Sequence, residues 1–388
     1  MSVIRTIVEV DPERRAQWLM PSAIRCVDPK WIRYLLPVQP DDRWRQGDLL
    51  LGEVLGPPGI ISSVQNTNRR SSLNYRDTAL FPGSKLVAVL APRAGTSTCI
   101  ARVPERPVEE LHLHGVGGQA GMIEPGSENT AMYRGQPTQL RVLAMLGGSE
   151  KQQLNTRQFG LTAPQDAQKR CPSDPALILV VGSDMDSGKT TTARRIIYSL
   201  RAIGHKVVAG KATGVGSLHD IASMFDAGAS EVVDFAALGE PVTIELSQSE
   251  VLSLFHRIFN LLRRKVGADG FVVIELADGI WYRETRFLME DEAVRNLASH
   301  LVLSCQGILD AEHGISVLET LGYRGKLRAL SGKLGSSGVL RGVAQRHFGS
   351  IPVFDSMDYA GSPADVAALF TEPAPDAAPL DDAGVPGP

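Results

Sequence analysis

The sequence VGSDMDSGKTT, from Val181 to Thr191, decides the fold class of this chain. It follows the apolar run ALILVV (176–181), which predicts a buried strand. It leads into TTTARRIIYSLRAIG, whose apolar residues share one helical face: Ala193, Ile196, Ile197, Leu200 and Ile203. A strand that passes through a glycine-containing loop into a helix starting at Lys-Thr is the context of a phosphate-binding P-loop.

Each residue type in this loop has a physical reason to be there. Backbone N–H groups and a helix N-terminus can surround phosphate oxygens, Lys189 can reach the β and γ phosphates, and the Thr190 hydroxyl can ligate magnesium. One position departs from the GxxxxGK[ST] pattern, since Ser183 stands where its first glycine belongs and Gly182 precedes it. The predicted nucleotide-binding residues are Gly182, Ser183, Asp184, Met185, Asp186, Ser187, Gly188, Lys189, Thr190 and Thr191.

The alternative is a plain glycine turn between strand and helix with no ligand. Lys-Thr-Thr at the helix start favours nucleotide binding over that alternative. The C-terminal third contains no NKxD string of the kind guanine-specific GTPases carry, its nearest strings being SCQGILD and LSGKLGSS. The sequence therefore predicts ATP, with Mg²⁺, as the ligand.

After the P-loop, helical stretches alternate with apolar runs that predict strands: Lys206–Ala209, Gly270–Leu276, His300–Ser304, Lys326–Leu330 and Ile351–Phe354. This alternation predicts a doubly wound α/β fold with a mostly parallel sheet. The front part instead has short apolar runs punctuated by Gly and Pro, which predicts a smaller β-rich domain. The predicted organisation is a β-rich domain over 1–150, a polar linker over 151–175, a P-loop domain over 176–370 and a disordered tail over 371–388.

Composition narrows the classes of partner. Apolar residues make up 43% of the chain and charged residues 21%, as in globular proteins. A net charge of -3 argues against sequence-independent binding to nucleic acid. Four scattered cysteines, no basic leader and no long apolar run predict a cytoplasmic protein without a membrane span.

Three motifs resemble dethiobiotin synthetase, a P-loop protein of the SIMIBI class. GSDMDSGKT is similar to that family's G-T-D-x-x-x-G-K-T loop, and Lys211 in VVAGKATGVGS stands where the family has a lysine. Glu275 in FVVIELADG ends an apolar run, as does the glutamate of the family's V-E-G-A-G-G segment. The resemblance implies that Lys211 acts on the phosphates and that Glu275 is a magnesium ligand. Otherwise Lys211 is a surface lysine and Glu275 a cap or an ion-pair partner.

Other candidates follow from position along the chain. Asp220 is the candidate for the remaining acidic magnesium ligand, with Asp226 as its competitor and a helix N-cap as the alternative. Asp278 lies just beyond Glu275, at the edge where open α/β sheets bind ligands, and could contact substrate or act as a base. The neighbouring Arg283 and Glu284 could do the same. The alternative is that Trp281 and Tyr282 pack under the loop while Arg283 and Glu284 form a solvated pair.

Two further stretches are rich in glycine. SGKLGSSG, 331–338, lies in the region where relatives contact adenine, or is a flexible loop. In the front part, His112 and His114 would share one side of a strand, but no third ligand accompanies them, which favours a structural role.

The chain also resembles a family of uncharacterised bacterial proteins that join a β-rich front half to a P-loop. The shared features are KATGVG from Lys211, DAGA from Asp226 and ELADGIWYRET from Glu275. ELADG replaces the glycines that follow the glutamate in dethiobiotin synthetase, which argues against that activity. We expect an ATP-dependent enzyme that phosphorylates or ligates a small substrate, such as a carboxylate, and forms a homodimer. The alternative is a regulatory or chaperone-like ATPase.

Overall fold

The structure is a computed structural model that describes residues 4–64, 75–95, 98–127, 137–163, 171 and 173–372. The chain forms two compact units. The first contains Met1–Ala163, Thr213–Ala222 and Asp234–Glu250, and the second contains Pro164–Ala212, Ser223–Val233 and Val251–Pro388. Two excursions of the later sequence therefore belong to the β-rich front unit.

The first unit is built from strands. They are β1 (Val8–Glu9), β2 (Tyr34–Leu36), β3 (Leu49–Gly56), β4 (Gly59–Val64), β5 (Tyr75–Leu80), β6 (Lys85–Leu90), β7 (Arg93–Ala94), β8 (Ile100–Arg102), β9 (Glu110–Leu113), β10 (Gln119–Ile123) and β11 (Gln139–Gly147). Helix α1 spans Pro12–Ala16, and single 3₁₀ turns span Ser22–Ile24, Pro29–Trp31, Thr156–Phe159 and Phe235–Leu238.

Five of these strands close into a ring. β11 pairs with β3, β3 with β6, β6 with β10, β10 with β9, and β9 again with β11. Side chains of β3 alternate between two apolar clusters, with Leu50 and Val54 in one and Leu49 and Leu51 in the other. Both faces of the strand are therefore buried, as the nearly unbroken apolar run of β3 requires.

The two excursions are held to this unit by buried polar contacts. The amide Nε2 of Gln119 donates to the carbonyl oxygens of Gly216, at 2.6 Å, and Pro241, at 3.2 Å. Arg25 forms an ion pair with Asp234, and both side chains are almost completely buried. Breaking such a buried pair by removing one partner leaves an uncompensated charge, so it fixes where the second excursion lies.

The second unit is a six-stranded sheet with the order β14-β13-β15-β12-β16-β17. Its strands are β12 (Ala176–Gly182), β13 (Val207–Lys211), β14 (Val232–Asp234), β15 (Phe271–Glu275), β16 (His300–Ser304) and β17 (Leu327–Ser331). The pairs β13–β15, β15–β12, β12–β16 and β16–β17 are parallel. Their carboxyl ends therefore meet at one edge.

Helices cover both faces of this sheet. The helices after β12 are α2 (Lys189–Ala202), α3 (Leu218–Asp226), α4 (Gln248–Arg263), α5 (Arg283–Glu290), α6 (Glu292–Leu297), α7 (Ile308–Thr320), α8 (Lys333–Ser336), α9 (Gly338–Phe348) and α10 (Pro363–Thr371), with a 3₁₀ turn at Arg324–Lys326. The first residues of α3 and α4 are counted with the first unit. One apolar cluster joins α2 and α10 to one face. On the other face, Gly210 of β13 approaches Ile258 and Leu262 of α4. The predicted mixed α/β class with a parallel sheet is confirmed.

The domain limits predicted from composition stay predictions. Of the predicted linker, residues 151–163 are counted with the first unit, and 164–170 and 172 lie outside the described residues. The predicted tail lies outside them from 373 onward. Among the described helices, none is both long and apolar enough to cross a membrane.

Candidate functional site

The P-loop connects the central strand β12 to the helix α2. β12 ends at Gly182, and α2 begins at Lys189. Gly188 and Asp186 have φ angles of 100° and 55°, so the loop turns through left-handed conformations. A side chain at Gly182 would meet the Ser187 hydroxyl at 2.5 Å, which explains a glycine one position earlier than the usual pattern.

The side chain of Lys189 folds back over the loop. Its Nζ donates to the carbonyl oxygen of Asp184 at 2.8 Å, and only 7% of the residue is exposed. Burial lowers the pKa of Lys189, while the nearby carboxylates of Glu275 and Asp278 act to raise it. The ammonium group thus lies inside the loop, close to two acidic groups, where a phosphate oxygen would replace a carbonyl as its acceptor.

Thr190 and Glu275 contact each other directly. The Thr190 hydroxyl donates to Oε1 of Glu275 at 3.0 Å, and Glu275 is 2% exposed. Glu275 ends β15 and is paired in register with Lys211 at the end of β13. Lys211 is also buried. The parallel sheet thus brings together the lysine and the glutamate predicted from separate motifs.

Two hydroxyl groups of the loop fit a phosphate ligand. The Oγ atoms of Ser183 and Ser187 are buried, and neither has a hydrogen-bond partner within the described parts of the chain. A buried hydroxyl without a partner is costly, and a phosphate oxygen would satisfy it. Together with the Thr190–Glu275 contact, this donor set fits a magnesium nucleotide.

Segments after three neighbouring strand ends also hold the loop. The sequence suggested Tyr282 for such packing and singled out the stretch 331–338 that contains Lys333, whereas Gln306 was missed. The Tyr282 hydroxyl donates to Oδ1 of Asp184 at 2.9 Å, and Gln306 Nε2 donates to the Met185 carbonyl at 3.1 Å. The N–H of Lys333 donates to the Ser187 carbonyl at 3.1 Å. The only signal in the sequence was position, since these residues follow β15, β16 and β17.

The stretch 331–338 is structured. β17 ends at Ser331, Gly332 adopts a φ of 83°, and α8 and α9 follow. A Cβ atom on Gly332 would lie 2.2 Å from the Ser187 carbonyl, so backbone packs directly on the P-loop here. This arrangement differs from the alternative of a flexible loop, and contact with adenine stays a prediction.

Asp278 lies three residues beyond Glu275, near enough to Lys189 to influence its pKa. Its role as a base stays a prediction. Arg283 and Glu284 form an ion pair at 3.0 Å, in which the arginine side chain is half exposed and the glutamate side chain is mostly buried. Trp281 is 57% exposed and stacks on His313.

The predicted acidic ligand Asp220 lies in the first turn of α3, in the part of that helix counted with the first unit. Its role as a magnesium ligand, and that of its competitor Asp226, stay predictions. Within the described ranges, no three His, Cys, Asp or Glu side chains cluster as a ready-made metal site. Magnesium usually keeps several waters and needs few protein ligands, so Thr190 and Glu275 can suffice.

His114 of the front unit has a structural environment. Its Nε2 lies 2.9 Å from the Ala91 carbonyl oxygen, and burial lowers the pKa of the imidazole to about 3. The ring is therefore neutral near pH 7, and it joins the turn after β9 to the end of β6.

The strand, the loop with its inward lysine, and the helix define the second unit as a P-loop domain of the NTPase type on a parallel sheet. No family model matches the chain, and no curated protein matches it. It is similar in structure to the signal recognition particle receptor FtsY from Elizabethkingia anophelis in complex with GDP, with 15% identity and a TM-score of 0.29. The alignment covers 56% of this chain and 59% of that one.

Two further structures show a similar level of likeness. A ParA family ATPase from Chlorobium tepidum TLS has 12% identity and a TM-score of 0.30, over 50% of this chain and 91% of that one. The signal recognition particle 54 kDa protein from Aeropyrum pernix K1, in complex with GDP, has 17% identity and a TM-score of 0.28. That match covers 53% of this chain and 51% of the other. The chain thus spans less than two thirds of the first and third of these proteins. The resemblance to dethiobiotin synthetase rests on sequence motifs alone.

Proposed function

We propose that this protein is an ATP- and Mg²⁺-dependent enzyme that phosphorylates or ligates a small substrate, such as a carboxylate. The observation that supports it best is the cluster of buried charges at the sheet edge. Lys189, Lys211 and Glu275 are each at most 8% exposed. Lys189 bonds to the loop, and Glu275 accepts from the Thr190 hydroxyl and is paired in register with Lys211. Buried charges are costly, so their concentration at a strand edge is typical of a functional site.

Phosphoryl transfer needs little covalent chemistry from the protein, and depends on positioning and charge neutralisation. In the proposed reaction Lys189 leaves the Asp184 carbonyl and binds the β and γ phosphates. Lys211 compensates the charge that develops on the transferred group. The loop N–H groups and the hydroxyls of Ser183 and Ser187 hold the remaining oxygens.

Thr190 and Glu275 would hold Mg²⁺, which supplies charge neutralisation between the β and γ phosphates. Asp278 would position the acceptor, and would take its proton where the acceptor is an O–H or N–H group. A carboxylate acceptor is already ionised near pH 7 and needs no such base.

The test is a comparison of ATP consumption with and without pools of small carboxylic acids. Product is read by ³¹P NMR and mass spectrometry, and GTP replaces ATP in a parallel series. We expect ATP turnover to rise with one acid and to match the amount of phosphorylated or ligated product. GTP should give at most about a tenth of the rate, as expected when a base-specific contact is lost.

The competing function is an ATPase that acts as a switch or a chaperone. Hydrolysis that proceeds without any added acid, and that responds only to a protein partner, would favour it and contradict the proposed enzyme. If neither ATP nor GTP binds, both the proposed enzyme and the competing ATPase switch are contradicted.

A further inference from the structure

The first unit contains a cavity of about 440 Å³ that the nucleotide site does not use. Helix α1, the segment after it, the Pro29–Trp31 turn and the ends of β4 and β5 form its walls. Its volume lies in the range of sites that hold small organic molecules, roughly 300–1,000 Å³. Its lining combines an apolar wall with a few charged groups, which is also typical of such sites.

The charges at this cavity are unbalanced. Asp28 is the single acidic residue of the lining, and Lys30 neutralises it. The Asp28 carboxylate accepts from Nζ of Lys30 at 2.8 Å and from the backbone N–H of Lys30 at 3.0 Å. Arg15 donates from Nη1 to the uncharged carbonyl of Ile32 at 2.9 Å. In the described parts of the chain no carboxylate pairs with Arg15 or with Arg76. Arg15 and Arg76 therefore give the residues that line the cavity a net positive charge.

Another part of the cavity lining is apolar. Trp18 and Met20 line the cavity, and they are only 5% and 8% exposed because they also belong to a buried apolar cluster. An indole ring gives a large flat contact area, and a thioether adapts to irregular shapes. A ligand that fits this lining needs an apolar body as well as a negative charge.

We propose that this cavity binds a small organic anion whose acidic head pairs with Arg15 and Arg76 and whose apolar body lies against Trp18 and Met20. The planar guanidinium fork matches carboxylate and phosphate oxygens, so both heads are compatible with the site. The inference stands apart from the proposed nucleotide chemistry, because every residue it uses belongs to the first unit.

The experiment titrates the full-length chain, without nucleotide, against three fluorinated probes followed by ¹⁹F NMR. 4-Fluorobenzoate tests a carboxylate head, 4-fluorophenyl phosphate tests a phosphate head, and 4-fluorobenzamide is the neutral control of the same size. We expect at least one anion to bind about tenfold or more tightly than the amide, as charge-assisted hydrogen bonds predict. Comparing the two anions identifies the head that the site prefers.

Variants then locate the binding. Arg76→Gln, at an exposed residue, should weaken binding of the preferred anion about fivefold or more. Arg15→Gln should weaken binding of this anion to a similar degree. Arg15→Lys keeps the positive charge but loses the planar guanidinium group, so it should weaken binding less than Arg15→Gln does. Arg43→Gln removes an equally exposed charge elsewhere and should have no effect. Lys189→Ala should also have no effect.

Equal binding of the amide and the anions would overturn the proposal, as would anion binding that survives both Arg76→Gln and Arg15→Lys unchanged. Failure of both anions to bind would overturn it too. If Arg15→Gln does not fold, because the bond to Ile32 is lost, Arg76→Gln against Arg43→Gln still decides the question.

Discussion

The hydroxyl of Thr190, in the first turn of α2, donates to Oε1 of Glu275 at the end of β15 over 3.0 Å. This hydrogen bond holds a P-loop threonine and a buried carboxylate at a strand end next to each other, as two oxygen ligands for a metal ion. This arrangement predicts how Glu275→Gln behaves. The amide oxygen keeps an acceptor for Thr190, but the negative charge is lost.

We expect Glu275→Gln to weaken ATP binding about tenfold or more when Mg²⁺ is present, from the loss of a charge-assisted contact of about 1.5–3 kcal/mol. In EDTA the affinity should change little. Isothermal titration calorimetry under both conditions measures the difference, and Glu372→Gln, an exposed carboxylate, is the matched control. An equal loss with and without Mg²⁺ would show that Glu275 does not act through the metal.

Lys189→Ala is expected to abolish measurable ATP binding while the protein stays folded. The ammonium group is desolvated and its pKa is lowered, so its removal takes away an electrostatic cost along with one hydrogen bond to Asp184. The melting temperature should stay within about 2 °C of the parent, less than the shift that 1 kcal/mol produces in a domain of this size.

Calorimetry and a thermal melt together test this, with Lys265→Ala as a control at an exposed lysine. ATP affinity that survives the change at Lys189 would remove the P-loop from the mechanism. A fall in melting temperature of 10 °C or more would instead mean that Lys189 is structural.

Much of the second unit was predictable because its strands are short apolar runs between helices. The run predicted at His300–Ser304 has the observed bounds of β16, and those predicted at Gly270–Leu276 and Lys326–Leu330 match β15 and β17 within one residue at each end. The run at Ile351–Phe354 forms only an isolated bridge, Leu330 to Val353. β14 was missed, because three residues carry too little periodicity to predict a strand.

The candidate site, like the fold, was predictable only in part. Lys211 and Glu275 were predicted from separate motifs, and the parallel register brings them side by side. Gln306 was missed, and the contacts of Tyr282 and Lys333 with the P-loop were not specified, because such contacts depend on which strand ends are neighbours in space. The order of strands in a sheet is set by tertiary packing, which a single sequence does not specify.

For the first unit, the sequence predicted only that it is rich in β-strands. Short apolar runs with Gly and Pro between them predict strands, but not the pairing of β9 with both β10 and β11 that closes the ring. Gln119, completely buried and bonded to Gly216 and Pro241, lies in a glycine-rich stretch with no periodic signal. Contacts between residues that lie 97 and 122 positions apart leave no local pattern in the sequence.

Gly332→Ala should damage the nucleotide site from outside the P-loop motif. The residue has a φ of 83°, and an added methyl group would lie 2.2 Å from the Ser187 carbonyl. We expect a loss of about 1–3 kcal/mol in unfolding free energy and a weaker affinity for ATP. Urea unfolding and calorimetry measure both.

Gly338→Ala is the matched control, because nothing lies within 4 Å of the added methyl group. It is the first residue of α9, where alanine is a better helix former than glycine. Equal effects of the two substitutions would contradict the close packing of Gly332 on the P-loop.

His114 predicts how acid acts on the first unit. Its pKa is about 3 in the folded protein and 6.5 when unperturbed, so between these values the unfolded chain binds a proton that the folded chain does not. The stabilising contribution of the neutral imidazole is therefore complete above about pH 6.5 and is lost as the pH falls toward 3. The loss amounts to about 1.4 kcal/mol per pH unit at most.

His114→Gln keeps a donor for the Ala91 carbonyl and removes the titration. Its free energy of unfolding, from urea curves at pH 7, 6 and 5, should decline less steeply than that of the parent, so the two converge as the pH is lowered. Parallel curves for the parent and His114→Gln would mean that burial does not lower the pKa of His114, because the imidazole would then take up protons equally in the folded and the unfolded chain.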